Sequence, residues 1–301
     1  MKSKKGMTRL LAVSVLGIIT TACGNTAKRS GAEETATDNT SKGTVLLVAS
    51  SESSLKLTTK EIPTGYYLDE LAVPAQALIA AGYDIVVATP KGDTPVMDEK
   101  SNTAELFQND ENKLNEALNF VKTFPPMLNP ISLSDAVKGG LDRFAAVYVP
   151  GGHAPMIDLM QDKNLGEILH HFHGKGKPTA LLCHGPVATL AALPEANAYR
   201  QALAEGNKTA IENFGKDWIY SGYRMTIYSN EEEYDVEDYL GGKIEFYVAD
   251  ALRNAGGKVE KSAAKNMPLV VRDRELITGQ NPASDHAIAD ELIKALEEMK
   301  K

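Results

Sequence analysis

With only two cysteines, Cys23 and Cys183, the chain cannot be a disulfide-rich scaffold, so an apolar core must hold the fold together. Positive charge is also in deficit. Against 40 Asp and Glu there are 32 Lys and Arg, leaving a formal charge of −8, which gives nucleic acid no electrostatic footprint. The apolar run Leu10 to Ile19 is too short to span a bilayer. No internal repeat is visible. What remains, 43% apolar and 24% charged over 301 residues, is a globular composition sufficient for one large domain or two small ones.

The N-terminus has the layout of a secretory leader: Lys2, Lys4, Lys5 and Arg9, then the short apolar run, then Thr20, Thr21, Ala22, Cys23 and Gly24. Small residues followed by a cysteine resemble the lipobox of bacterial lipoproteins. That resemblance implies removal of residues 1–22, lipid on Cys23 and a chain held at the extracytoplasmic face of a bacterial membrane. The leader carries four positive charges and no negative one, so its removal takes the charge from −8 to −12. Cys183 is then left as the sole free thiol. Residues 23–43, mostly Thr, Ser, Ala, Asn, Lys, Asp and Glu, read as a flexible tether.

From residue 44 onward, strands and helices alternate. Thr44 to Ser51 is a continuous aliphatic run suited to a strand covered on both faces. Helical spacing follows over Leu71 to Ala81, and a strand over Tyr83 to Ala88. The loop Lys91 to Asp98 leads to a helix within Asn109 to Thr123, a strand at Ala145 to Val149 and a helix at Leu165 to His173. Further on come a short strand at Arg224 to Tyr228, a helix at Ile244 to Ala255, a hairpin from Leu269 to Val271 and Glu275 to Thr278, and a closing helix at Ala283 to Met299. The pattern predicts one α/β domain over 44–301, a doubly wound, mostly parallel sheet sandwiched by helices.

The most informative stretch is TALLCHGPVATL, Thr179 to Leu190, an apolar strand turning at Cys183, His184, Gly185 and Pro186 into a helix. A thiol at such a corner faces the partly positive helix start, which favours the thiolate, as does a neighbouring imidazolium. A cysteine among apolar residues also reads as a small buried hydrophobe. His170, His171 and His173 lack the companions of a metal site, and no metal is expected. Trp218 reads as packing beneath a loop.

TGYYLDEL (Thr64 to Leu71), PKGDTPVMD, VPGGH (Val149 to His153), LLCHGP, GYRMT and TGQNPAS together resemble the DJ-1/PfpI superfamily, within the class I glutamine amidotransferase-like fold, and its Hsp31-like branch in particular. The resemblance covers roughly residues 44–290. It implies a flavodoxin-like fold with Cys183 as nucleophile on a strained elbow, His184 beside it, and Glu70 reaching the sulfur as a protonated donor. An acidic residue after GYRMT would support His184. Glu233 is the best match, with Glu231 and Glu232 as neighbours in the count, and at least two of the three are expected in a solvated loop. Backbone N–H groups of Gly152 and His184 would form an oxyanion hole, and His153 receives no assigned role. Where many relatives have a glycine pair followed by Asp-Pro, this chain has Gly92-Asp93 and Asp98-Glu99, so the pocket rim is expected to differ.

The activity implied resembles cofactor-independent glyoxalase III, converting methylglyoxal to lactate, with related deglycase, amidase and peptidase activities using the same nucleophile. The substrate class is then a small 2-oxoaldehyde or an early glycation adduct, with no cofactor and no nucleic-acid partner. A homodimer is compatible with the pattern. The alternative from another class is a membrane-tethered holdase or thiol redox sensor, because a nucleophilic thiol is also an oxidisable one.

Overall fold

A computed structural model describes residues 41–300. The leader, Cys23 and nearly all of the expected tether lie outside the described residues. Within them the strands are β1 (Thr44–Val48), β2 (Ser54–Lys56), β3 (Glu61–Pro63), β4 (Asp84–Thr89), β5 (Ile131–Ser132), β6 (Phe144–Val149), β7 (Thr179–Leu182), β8 (Arg224–Thr226), β9 (Lys258–Glu260), β10 (Val270–Asp273) and β11 (Leu276–Gly279). Seven form one sheet in the order β10-β11-β7-β6-β1-β4-β5, parallel except for β10 against β11.

The continuous apolar runs are explained by a core on each face of the sheet. Successive strand residues point to opposite faces, so Leu46, Val48, Val147, Val149 and Leu181 enter one apolar cluster while Val45, Leu47, Ala146, Tyr148 and Leu182 enter the other. Five helices frame the site and the layers around it: α1 (Leu68–Ala80), α2 (Glu111–Thr123), α3 (Lys163–Lys175), α4 (Asn230–Leu240) and α5 (Asp285–Glu298). α3 packs Leu165, Ile168, Leu169 and Phe172 into the first cluster. α1 and α5 cover the other face with Leu68, Leu71, Leu78, Ile288 and Leu292. Each fully buried leucine contributes about 1.5–3 kcal/mol relative to an exposed one.

From β1 the chain crosses to β4 on one side, and β6 returns to the other side of β1. The carboxyl ends of β1 and β6 therefore flank a topological switch point, where ligand sites of open α/β sheets form.

The helix expected after Cys183 is present and is a tight 3₁₀ helix over Gly185–Ala192. Several other expectations are corrected. The helix expected over Ile244 to Ala255 is confined to Val248–Asn254, and Ile244 instead bridges to Leu57. β8 leaves the main sheet and pairs in parallel with β9, which carries too few apolar residues to stand out in the sequence. The acidic run is not a solvated loop: Glu231 to Glu233 form the first turn of α4, with Glu232 and Glu233 buried.

Candidate active site

Cys183 follows the last residue of β7 with φ at +60°, a left-handed conformation that costs a non-glycine residue about 1–3 kcal/mol. Two backbone hydrogen bonds hold it there. Its N–H donates to the Gly279 carbonyl at 2.9 Å, and its carbonyl accepts from Tyr228 N–H at 2.9 Å. The side chain is thus turned off the strand into a pocket lined by Tyr67, Gly152, His153, His184, Tyr228 and Val236, with a volume of about 30 Å³.

The glycines after β6 let that pocket close. A Cβ on Gly151 would lie 2.4 Å from Glu70 Oε2 and 2.7 Å from Cys183 Cβ, so only hydrogen fits. Gly152 has φ at +79°, and a Cβ there would lie 2.1 Å from the Gly65 carbonyl oxygen.

Glu70 arrives from the first turn of α1. Its Oε2 accepts from Gly151 N–H at 2.8 Å, and its carboxyl also interacts with the Cys183 thiol. Pro74 sits one turn further along α1 and has no N–H to give the Glu70 carbonyl. The buried Tyr148 hydroxyl donates to that carbonyl instead, tying α1 to β6 beside the site.

Glu233 joins two imidazoles. It accepts from His184 Nε2–H at 2.7 Å and from His153 Nε2–H at 2.9 Å. A carboxylate can only accept, so both rings carry their proton on Nε2. His184 Nδ1 then points at the Cys183 sulfur, 3.4 Å away. The Tyr228 ring stacks on His184 with centroids 4.7 Å apart, which fixes the imidazole plane.

Burial alone would raise Glu233, yet the two histidines outweigh it and hold the carboxyl well below its usual range. His153 is raised, because Glu233 outweighs the burial that opposes its charge. His184 moves the other way: burial and the adjacent His153, with ring centroids 4.2 Å apart, lower it. The result is a neutral His184 facing the sulfur and a more basic His153 behind it.

Burial and then Glu70 push the Cys183 thiol well above its ordinary value. The His184 N–H at the helix start acts in the expected, lowering direction but is outweighed, and the expected imidazolium is absent. Cys183 is 3% exposed, and its neighbouring ring is neutral. Burial also pushes Glu70 up to about 8, partly opposed by the neighbouring thiol and by the hydrogen bond from Gly151 N–H. Glu70 is therefore protonated at neutral pH.

Of the residues singled out from the sequence, Cys183, His184, Glu70, Glu233 and Gly152 come together here. Glu231 points to the surface and pairs with Lys261. Glu232 has a different task. In a capping box its Oε2 accepts from Ser229 N–H at 3.0 Å, and it also accepts from Gln280 and Asn281 side-chain amides, both at 2.8 Å. These bonds seat the first turn of α4 and so aim Glu233 at the histidines. The TGQNPAS segment thereby acquires a role through Gln280 and Asn281. His153 was missed by sequence reasoning, and its position directly after Gly151-Gly152 is the signal that could have found it.

His153, His184 and Glu233 have ligating atoms within 4.8 Å of one another, a spacing that suits a metal. In the arrangement described those atoms hydrogen bond to each other, so an ion would have to displace both Nε2 protons. His170, His171 and His173 diverge, taking separate partners in the Ala192 carbonyl, Asp142 and Glu275. Trp218 is buried and donates to the Thr189 carbonyl.

A family model described as ThiJ/PfpI family-like matches residues 62–212. A curated relative, the protein/nucleic acid deglycase HchA of Staphylococcus aureus, is 28% identical over 270 residues, covering 85% of this chain and 82% of its own. Among solved structures, the Rapid Encystment Protein 24 kDa of Francisella tularensis is similar with a TM-score of 0.63 at 23% identity, covering 84% of this chain and 99% of its own. Glyoxalase III of Candida albicans is similar with a TM-score of 0.59 at 20% identity, covering 84% and 97%. The last two likenesses concern the fold.

Proposed function

This chain belongs to the ThiJ/PfpI-like family, and from that premise we propose that it is a cysteine-dependent enzyme converting small 2-oxoaldehydes to 2-hydroxy acids, in the manner of glyoxalase III. The observation that carries this reading is the chain of contacts from Cys183 through a neutral His184 to an ionised Glu233, ending in a pocket of about 30 Å³. A site this small suits the reactive end of a three-carbon aldehyde better than a glycated macromolecule.

His184 Nδ1 takes the thiol proton as the sulfur attacks the aldehyde carbon of methylglyoxal. Glu233 stabilises the imidazolium that forms. The hemithioacetal oxygen is held by the N–H groups of Gly152 and His184. Glu70 and His184 then relay protons so that the C1 hydrogen leaves as a proton, C2 gains one, and an enediol collapses to a thioester. Water cleaves the thioester to lactate and regenerates the thiol. C1 is oxidised as C2 is reduced, so no external oxidant is needed.

An early glycation adduct is a second substrate class, supported by the name of the staphylococcal relative. A thiol sensor is disfavoured by the burial and raised pKa of Cys183, because redox-sensing thiols are exposed and acidic. The test is lactate formation from methylglyoxal by the purified protein and by Cys183→Ser. Turnover by the first alone is expected. Absence of turnover, or equal turnover by both, would sink the reading.

We also propose that residues 1–22 are cleaved and Cys23 is lipidated, on the strength of the basic start, the short apolar run and the small residues before the cysteine. Labelled fatty acid should enter the wild-type chain and not Cys23→Ala. Equal labelling of both would defeat this.

A further inference from the structure

A larger opening lies beside this site. A cleft of about 650 Å³ runs between α1, the segment 104–116 and the start of α5. Asp69 lines it, about 100° around α1 from Glu70. Its side chain is nine-tenths buried and more, at 1% exposed, and neither carboxyl oxygen has a hydrogen-bond partner within the protein. A buried carboxyl without a partner is costly, and proteins seldom leave one without a use.

Acids dominate the polar lining, with Asp69, Glu105, Glu116 and Asp285 against Lys113 and His286. Val73, Leu106, Phe107 and Pro282 supply apolar walls. The volume is that of a small-molecule site and far exceeds a bare ion. Among the described residues, the group with metal-ligand spacing lies elsewhere, at His153, His184 and Glu233. We propose that this cleft binds a small organic cation, an alkylammonium or guanidinium with an apolar body, whose charged head is received by Asp69 and Asp285. This reading is independent of the chemistry at Cys183.

Proton release gives the binding a signature. Burial, then Glu70 and Asp285, hold Asp69 well above the ordinary carboxyl range. The other groups around it are His286 on α5, Tyr148 on β6, and Glu105, Lys113 and Glu116 across the cleft. A cation seated beside Asp69 favours its carboxylate and so favours release of a proton to the buffer.

The experiment is isothermal titration of the full chain at pH 7 with 2-phenylethylamine and with agmatine, each in two buffers of different ionisation enthalpy. Neutral 2-phenylethanol is the control. Saturable binding of at least one cation with net proton release is expected, and weaker or no binding of the alcohol. Asp69→Asn should bind at least tenfold more weakly and release no proton, whereas Cys183→Ser should bind as the wild type. The proposal is overturned if neither cation saturates, if the alcohol binds equally well, or if wild-type binding releases no proton. The proton measurement on the wild type stands even if Asp69→Asn fails to fold.

Discussion

Asp69 and Glu70 are adjacent in the chain and almost fully buried, yet they face two different environments. Glu70 meets an N–H from Gly151 and the Cys183 thiol in a pocket of about 30 Å³. Neither oxygen of Asp69 makes a hydrogen bond within the protein, and the residue lines a cleft of about 650 Å³. Burial raises both carboxyls, so the difference lies in what each proton can do. Around Glu70, the partners come from the ends of β6 and β7, fixed by the sheet. Around Asp69, the facing wall comes from residues 104–116, off the sheet. The rigid side is fitted for chemistry on a small molecule, and the open side for holding one.

The sharpest test of this division is at the sulfur. Cys183→Ser should lower kcat/KM for methylglyoxal by about 10³-fold or more while leaving amine binding in the cleft unchanged. A comparable loss of both would mean that the two openings work as one site. His184→Ala and Glu233→Gln come next, with losses of about 10²–10³-fold, since each removes part of one proton-accepting unit. Because they act as a unit, the double variant should be little worse than either single one. Additive losses, measured in the same assay, would separate Glu233 from His184.

Glu70→Gln should cost about 10–100-fold, and its diagnostic is the pH profile. Glu70 is protonated below about 8, so wild-type turnover should decline as pH rises through that value. The glutamine variant should lack that decline. A wild-type profile that stays flat to pH 9 would remove Glu70 from the proton relay.

The sheet was legible in the sequence because its strands are covered on both faces. Runs such as Thr44 to Val48 and Phe144 to Val149 need no alternation to be recognised. β9 and the hairpin of β2 and β3 were not legible, since they are short, half-exposed and take their pairing from tertiary contacts. At the site, Cys183 and His184 stood out through the strand-to-helix corner. Glu233 could be placed only to within two residues, because composition cannot separate three consecutive glutamates. Packing does so: Glu231 meets Lys261, Glu232 meets Ser229, Gln280 and Asn281, and Glu233 meets the histidines. The protonation states were the least legible, because they depend on burial and on how His153 and His184 share Glu233, which no short motif encodes.

The smallest effect on turnover is expected from Asp69→Asn, within a few-fold of wild type, and its informative consequence is on stability. Both carboxyls are raised in the folded protein, so between the ordinary carboxyl range and the folded values the native state binds protons that the unfolded chain releases. Stability contributed by these groups is fully present below their unfolded pKa values and is lost as pH rises. For Glu70 the window runs from 4.5 to about 8. Thermal melts of the wild type should therefore fall in Tm across that window, and each amide variant should flatten the slope. Glu70→Gln also loses the thiol contact, whereas Asp69→Asn loses no hydrogen bond within the protein. Asp69→Asn should accordingly match or exceed the wild-type Tm at pH 8. A lower Tm at that pH would show that Asp69 has a partner in solution that the protein itself does not supply.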